Sequence, residues 1–590
     1  MANLLLALDP NPDRLRSYME SVERIIAPFQ GLVVGNARGP NCAAVWAVAP
    51  SAPLSVASSK GSLSIVIGEA IDESGRRQSA ERIESSWKES PTTVWDGLYF
   101  AASVDSQGGI VAGVDLMGLF PLYYWIDSGV VLVATSPEFF LKHPLFDSKL
   151  DHEGLVGILL VNGLVGGRTL LEGVRRLQPG NHLSVERLQG REIEAFRIPD
   201  RLELAHLPLE GHVLAVETAL VEATRRHAPP GPRYGLLLSG GLDSRMVGGL
   251  LVSSGIKPRA FTIGKDQDLE MRCAKAAARA LGLDQNSGEP LAADYPGYAQ
   301  VHSDYEHLAN GFNTIRDWWT QSRVAELGDR VATGIIADAL VGGTTIHWAY
   351  TASPPRMSFD GFWKNMAPMG FAPEAARRLL ASPYRGLVDS TMEKLRDEYH
   401  GYGELGSYQA WRFDLAHGER FHVGATAWRL AFGAWPTIPV LDRQVIKVAS
   451  TIPASSLAHR ATQLGFVKNY LPQLGRTPLD RSDLLEHRAQ FIAPTLRDLG
   501  EEHARQFLGR IKRRLFKKET RYWYRVNDFN SEAWRTVRRN AEPHRDLVSQ
   551  VFDRSSLDAI LPGPEGGHTS TPESARKLLV GFMTWSSKHL

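Results

Sequence analysis

Between residues 31 and 185, short apolar runs recur at close spacing, at 63–67, 98–104, 109–114, 121–125 and 130–134, each broken by turn-forming residues. Runs of this length and spacing predict an antiparallel, strand-dominated unit. From 201 to 227 the apolar positions follow helical spacing instead, and Pro229-Pro230-Gly231-Pro232 then breaks the chain. Beyond the break a strand at 234–238 leads into a helix from about residue 244, a strand at 259–263 into a helix over about 268–281, and a further strand follows at 330–333. Strands alternating with helices predict a parallel, doubly wound sheet. The change of pattern divides the chain near residue 205, into units 1–205 and 206–590.

Composition narrows the possible functions. Sixty-six Lys and Arg balance 65 Asp and Glu over 590 residues, a net charge of +1. That balance supplies no general electrostatic footprint for nucleic acid or a membrane surface, so any anion is bound locally. The 43% hydrophobic and 22% charged content is that of an ordinary folded protein. Cys42 and Cys273 are too few for a disulfide framework or a zinc cluster, and the compartment reads as reducing. The apolar residues 4–8 have no basic region before them, and the weakly polar stretch 154–167 is too short to span a bilayer. A cytoplasmic location is expected.

The chemistry concentrates in Ser239-Gly240-Gly241-Leu242-Asp243-Ser244, which follows the apolar strand ending at Leu238 and opens a helix. Adjacent glycines let backbone N–H groups curl toward an anion, and a helix amino terminus favours phosphate there. Asp243 adds the carboxylate that Mg²⁺ requires beside phosphates. Ser-Gly-Gly alone also suits an ordinary packed turn; the strand before it and the Asp-Ser after it select the phosphate reading. Neither Gly-x-x-x-x-Gly-Lys-[Ser/Thr] nor a strand-coupled Gly-x-Gly-x-x-Gly occurs.

This hexapeptide resembles the pyrophosphate loop of the asparagine synthetase superfamily, which cleaves ATP between the α and β phosphates to make an acyl-adenylate. Ala260-Phe261-Thr262-Ile263-Gly264 is similar to the family's second strand, which puts Ile263 against adenine. Thr333-Gly334-Ile335-Ile336-Ala337-Asp338-Ala339-Leu340-Val341-Gly342-Gly343 resembles its Ser-Gly-Glu-Gly-Ala-Asp-Glu-Leu-Phe-Gly-Gly segment, and the conserved aspartate falls on Asp338. Ile438-Pro439-Val440-Leu441-Asp442 is similar to its Arg-x-Pro-Phe-Leu-Asp. The resemblance implies ATP bound by Leu238, Ser239, Gly240, Gly241, Leu242, Asp243, Ser244, Ile263, Thr333 and Gly334. Asp243 and Asp338 would hold Mg²⁺ on the departing pyrophosphate. Asp96-Gly97-Leu98-Tyr99-Phe100 and 115–124 resemble the family's glutaminase-like domain. The implied fold is an amino-terminal Ntn-glutaminase-like αββα sandwich, degenerate, joined to a doubly wound ATP-pyrophosphatase domain.

Departures from the family pattern point to the substrate. The chain reads Met1-Ala2-Asn3, without the amino-terminal cysteine whose thiol would attack glutamine. Relatives without it resemble β-lactam synthetases and lasso-peptide macrolactam synthetases, in which an amine of the substrate attacks the adenylate. Arg488 falls where the family has a catalytic lysine, keeping the charge but not a tunable proton, or is a surface arginine. Ile335 replaces the tyrosine by which β-lactam synthetases deprotonate the amine, which favours a peptide cyclase.

Arg245 stands near the pyrophosphate or faces solvent, and the aromatic run 302–319 reads as core before it reads as a peptide pocket. The basic cluster 505–525 reads as an amphipathic helix with a solvated face. The expectation is an ATP- and Mg²⁺-dependent enzyme that adenylates an Asp or Glu side chain of a precursor peptide and closes a macrolactam onto its amine. A leader-peptide protease or recognition protein would be a further partner. The alternatives are an ammonia-dependent asparagine synthetase, a small-molecule amide synthetase and a non-catalytic scaffold.

Overall fold

The computed structural model describes residues 2–39, 41–59, 61–200, 202–342, 349, 357–366, 370–480, 521–566 and 569–590. Its first part runs β1 (Ala2–Leu8), α1 (Pro12–Glu23), β2 (Val33–Arg38), β3 (Cys42–Val48), β4 (Leu54–Ser59), β5 (Ser62–Gly68), α2 (Ala80–Glu89), β6 (Tyr99–Val104), β7 (Ile110–Val114), β8 (Tyr123–Asp127), β9 (Val130–Ala134), α3 (His152–Val161), β10 (Arg175–Arg176), β11 (Asn181–Glu186) and β12 (Gln189–Glu194). These strands build two six-stranded antiparallel sheets, ordered β10-β8-β9-β1-β3-β2 and β12-β11-β7-β6-β5-β4.

Alternation explains the layering. On β5, Leu63, Ile65 and Ile67 join the main core, while Val66 faces the other way onto Ala80, Ile83 and Trp87 of α2. Both faces of the second sheet are therefore covered. The first sheet is flanked by α1, which buries Tyr18, Met19 and Val22. Asn11 caps α1 by accepting from the N–H groups of Asp13 and Arg14, with Pro12 behind it. The apolar residues 4–8 that suggested no element form the inner part of β1, hydrogen-bonded between β3 and β9 and buried throughout.

The strand expected at 121–125 lies two residues later. Asp115 draws the preceding segment into a loop by accepting from the backbone N–H of Met117, Leu119 and Phe120 at 3.1, 3.0 and 2.7 Å. Burial pushes the Asp115 carboxyl up to about 6, against the opposing pull of these donors and Arg420.

The second part contains α4 (Leu209–His227), β13 (Tyr234–Leu237), α5 (Leu242–Ser253), β14 (Arg259–Ile263), α6 (Leu269–Leu281), β15 (Gln285–Gly288), α7 (Tyr295–Glu306), α8 (Asp317–Leu327), β16 (Arg330–Ala332), α9 (Ala337–Val341) and β17 (Trp435–Thr437). The expected doubly wound sheet is five-stranded and wholly parallel, ordered β15-β14-β13-β16-β17. Further along come a π-helix (Asp414–Val423), α10 (Ala461–Tyr470), α11 (Tyr522–Asn527) and α12 (Glu573–His589). The aromatic run 302–319 is core: His302, Phe312 and Trp318 are fully buried.

The two parts pack closely. Phe120 stacks on Trp435 at 5.9 Å, and a side chain at Gly68 would meet the Trp435 ring at 2.1 Å. Asp442 caps the helix after β17 and is held by Arg226 and His227 of α4, which fixes the turn. Among the described residues no helix is long and apolar enough to cross a membrane.

Candidate active site

In the strand order, β14 lies on one side of β13 and β16 on the other, so the connections leave β13 in opposite directions. Such a switch point opens a crevice beyond the carboxyl ends of the strands, where ligands of doubly wound sheets bind. The loops after β13 and β16 meet there. A cavity of about 730 Å³ occupies the crevice, lined by Leu238, Ser239, Asp243, Ser244, Ile263, Thr333 and Gly334 among others. Seven of the ten residues expected around ATP thus line one cavity. Gly240, Gly241 and the buried Leu242 form the loop and the helix start.

The loop is shaped by its serines. Ser239 N–H donates to Ser244 Oγ at 2.9 Å, the two hydroxyls lie 2.9 Å apart, and Gly241 N–H donates to Ser239 Oγ at 3.2 Å. Gly241 caps α5 without a side-chain acceptor, so the first turn presents its N–H groups and positive dipole end to an anion. The close approach of the loop after β16 to that turn depends on glycine. A Cβ at Gly334 would stand 2.6 Å from the Asp243 carbonyl carbon and 2.8 Å from Ser244 N. Gly334→Ala is therefore expected to push the loops apart, destabilising the fold by about 1–3 kcal/mol and weakening ATP binding at least about tenfold. A thermal melt and calorimetric ATP titration check this.

Asp243 and Asp338 are brought together around one cation. The Arg460 guanidinium lies 3.4 Å from Asp243 and 3.5 Å from Asp338, and Gln463 Nε2 donates to Asp243 Oδ1 at 2.7 Å. The backbone is strained to achieve this. His459 and Arg460 have φ of 56° and 61°, and Ile336, two residues before Asp338, has φ of 59°. Left-handed backbone costs a non-glycine residue about 1–2 kcal/mol, and the resembling family segment has glycine where this chain has Ile336. Complete burial of the Ile336 side chain holds the conformation.

The donor set fits Mg²⁺: two carboxylates converge on one positive charge beside the glycine-containing phosphate loop. Asp243 and Asp338 are the side chains that would hold the ion, and bound there it would neutralise the departing pyrophosphate.

The remaining expectations divide. Arg245 does not face solvent. It is fully buried and staples the loop to the chain after α10, donating to Thr477 Oγ1 at 2.6 Å, Gly240 O at 2.8 Å and Pro478 O. Arg488 lies outside the described residues, as does the basic cluster up to 520. Its last residues are described: Arg521 and α11 form one wall of the cavity.

Three groups went unnoticed in the sequence because only the fold assembles them. Arg460 and Gln463 come from the start of α10, more than 200 residues after the loop they serve. Glu419 sits on the π-helix, where Gly424 N–H donates to the Glu419 carbonyl across five residues at 2.6 Å. π-Helical turns occur often at functional sites. The Glu419 side chain is buried, with Oε2 unpartnered. Burial first, then the charges of Asp338, Asp414 and Asp243, push its carboxyl well above the usual carboxylate range. The π-helix packs against α9, which carries Asp338. Its next residue, Arg420, reaches the other way and donates to Gly118 O at 3.2 Å in the amino-terminal part.

Glycine loop, paired carboxylates and switch-point crevice together make the carboxyl edge of the parallel sheet the candidate site for a phosphate ester and its cation. Residues 215–587 match the family model described as asparagine synthase, and the chain belongs to that family. Its members are ATP-dependent ligases that form carbon–nitrogen bonds and release AMP.

A segment of 197 residues is 29% identical to the protein named Amidase chyE of Penicillium rubens, covering 30% of this chain and 28% of that protein. The chain therefore spans under a third of that relative. Among solved structures it is similar to glutamine phosphoribosylpyrophosphate amidotransferase from B. subtilis, with a TM-score of 0.22 and 9% identity over 48% of this chain and 65% of that one. A structure titled as the allosteric regulatory enzyme of purine biosynthesis matches with a TM-score of 0.22 and 10% identity over 48% and 64%.

Proposed function

We propose that this chain adenylates an Asp or Glu side-chain carboxylate of a peptide with ATP and joins it to the peptide's own amine, releasing AMP and pyrophosphate. The observation that carries this reading is the convergence of Asp243 and Asp338 on one cation beside the phosphate loop. Attack of the carboxylate on the α-phosphorus forms the mixed anhydride and expels pyrophosphate. The N–H groups of the first turn of α5 donate to the phosphates, and Arg460 supplies a fixed positive charge beside them.

The cysteines argue against glutamine as the nitrogen source. Cys42 on β3 and Cys273 on α6 are both buried, and burial pushes both thiols up, which leaves neither as a nucleophile for glutamine. An amine on the substrate itself then attacks the acyl carbon, displacing AMP. Holding both groups of one peptide in place supplies the effective molarity that an intermolecular reaction lacks.

That amine arrives as an ammonium and must lose a proton. Ile335, apolar and buried, offers no group for it. Glu419 does. Burial and the neighbouring aspartates hold Glu419 toward its neutral form, so it accepts the proton from its ionised fraction, which grows as pH rises.

The test is ATP–pyrophosphate exchange with a peptide bearing a free amine and an internal Asp or Glu. Peptide-dependent exchange, with a product lighter by one water, is the expected result. Exchange with free aspartate but not with peptides, followed by asparagine formation from ammonia, would overturn the cyclase reading.

A further inference from the structure

One wall of the cavity comes from neither the phosphate loop nor the strand ends. Arg521 and the residues of α11 that follow it, Tyr522, Trp523 and Tyr524, reach the crevice from near the carboxyl end of the chain. As a free element α11 would not hold its place: it has six residues and buries only Val526.

Polar tethers fix it instead. Tyr522 N–H donates to Glu270 Oε2 at 3.0 Å, and Arg525 donates to Glu289 Oε2 at 2.6 Å and to Asp268 Oδ2 at 2.7 Å. At its far end Lys577 Nζ donates to Asn527 O at 2.7 Å and Arg316 to Asn527 Oδ1 at 3.2 Å. The same Arg316 holds its guanidinium 5.2 Å from the centre of the Trp523 ring. So much anchoring leaves two large rings uncovered: Trp523 is 56% exposed and Tyr524 68%.

The place of these rings says what covers them. Phosphates are fixed at the amino end of α5, whereas α11 is tied to Glu270, Asp268 and Glu289, which follow β14 and β15. A ligand gripped by its phosphates and extending across the crevice toward β14 brings to α11 whatever its phosphates carry. Flat, weakly hydrated rings are the partners that exposed aromatic side chains stack on.

We propose that α11 is the nucleobase wall of this site, with Trp523, held by Arg316, as the ring on which the base of the bound nucleoside triphosphate stacks. The proposal rests on the adenylating reading of the same cavity and assigns its base-recognition residue.

The test compares ATP with inorganic triphosphate, which has no base, as ligands of the full chain and of its Trp523→Ala and Trp523→Phe variants. Trp523→Ala raises the dissociation constant for ATP about tenfold, the change that about 1.4 kcal/mol of lost stacking produces. It leaves that for triphosphate unchanged, and Trp523→Phe retains ATP affinity within about threefold. Unchanged ATP affinity in Trp523→Ala overturns the proposal. So does an equal loss for ATP and triphosphate, since that would reflect damage to the fold. ATP binding lost selectively in Trp523→Ala, in a chain that shows no pyrophosphate exchange with any carboxylate, would sink the adenylating reaction while leaving the base wall in place.

Discussion

Asp338→Asn is expected to lower ATP–pyrophosphate exchange by at least about a thousandfold while leaving the melting temperature within a few degrees of the parent. The amide has the shape of the carboxylate, so α9 and the strained turn at Ile336 keep their packing, and only charge is removed. That charge is half of the pair holding a cation where pyrophosphate departs. Removing a single preorganised stabilising group costs about a hundred- to a thousandfold in other enzymes, and a lost metal ligand adds to this because the ion stabilises charge by several kcal/mol.

Asp243→Asn should behave alike, because the new amide oxygen can still accept from Gln463 Nε2. Exchange measured at saturating ATP, Mg²⁺ and peptide separates the catalytic effect from weakened binding. A variant that exchanges within tenfold of the parent would place the metal elsewhere.

Why these two aspartates were legible in the sequence, and their partners were not, comes down to range. Asp243 lies in a hexapeptide whose chemistry is local: glycines that clear the backbone, a strand before it and a helix after it. Asp338 sits in an equivalent turn after β16. Arg460 and Gln463 belong to no such signature, since they reach the loop only after α10 folds over the sheet.

Arg245 shows the opposite limit. A charged residue on the first helical turn suggests phosphate or water, yet its guanidinium is consumed by backbone carbonyls of a segment more than 230 residues away. The fold divides likewise. Short apolar runs broken by turn residues marked β5, β6, β7 and β9, and the strand–helix alternation marked the parallel sheet. β1 stayed hidden because residues 4–8 are leucine and alanine, without the β-branched and aromatic residues that mark a strand. Glu419 had no local mark at all, because a π-helix differs from an α-helix by one residue in the hydrogen-bond register.

Glu419→Gln is the substitution that tests the second half of the reaction apart from the first. Glutamine keeps the volume of the side chain but cannot take a proton. Adenylation needs no base, so peptide-dependent pyrophosphate exchange should remain within about threefold of the parent. Amide formation, in contrast, should fall by about a hundred- to ten-thousandfold, the usual contribution of a positioned general base. The adenylate then meets water instead of the amine, and the variant consumes ATP to AMP without making cyclic peptide.

Stability is expected to change little. Burial and three neighbouring aspartates already hold the parent's carboxyl toward its neutral form, so a neutral amide leaves the charge balance of the site nearly unchanged. A melting temperature at or above the parent's, measured beside the product yield, shows that the loss of activity is not a loss of fold. Cyclic product within tenfold of the parent would remove Glu419 as the base. Exchange and product lost in equal measure would instead assign it to the charge balance of Asp243 and Asp338, acting before the amine arrives.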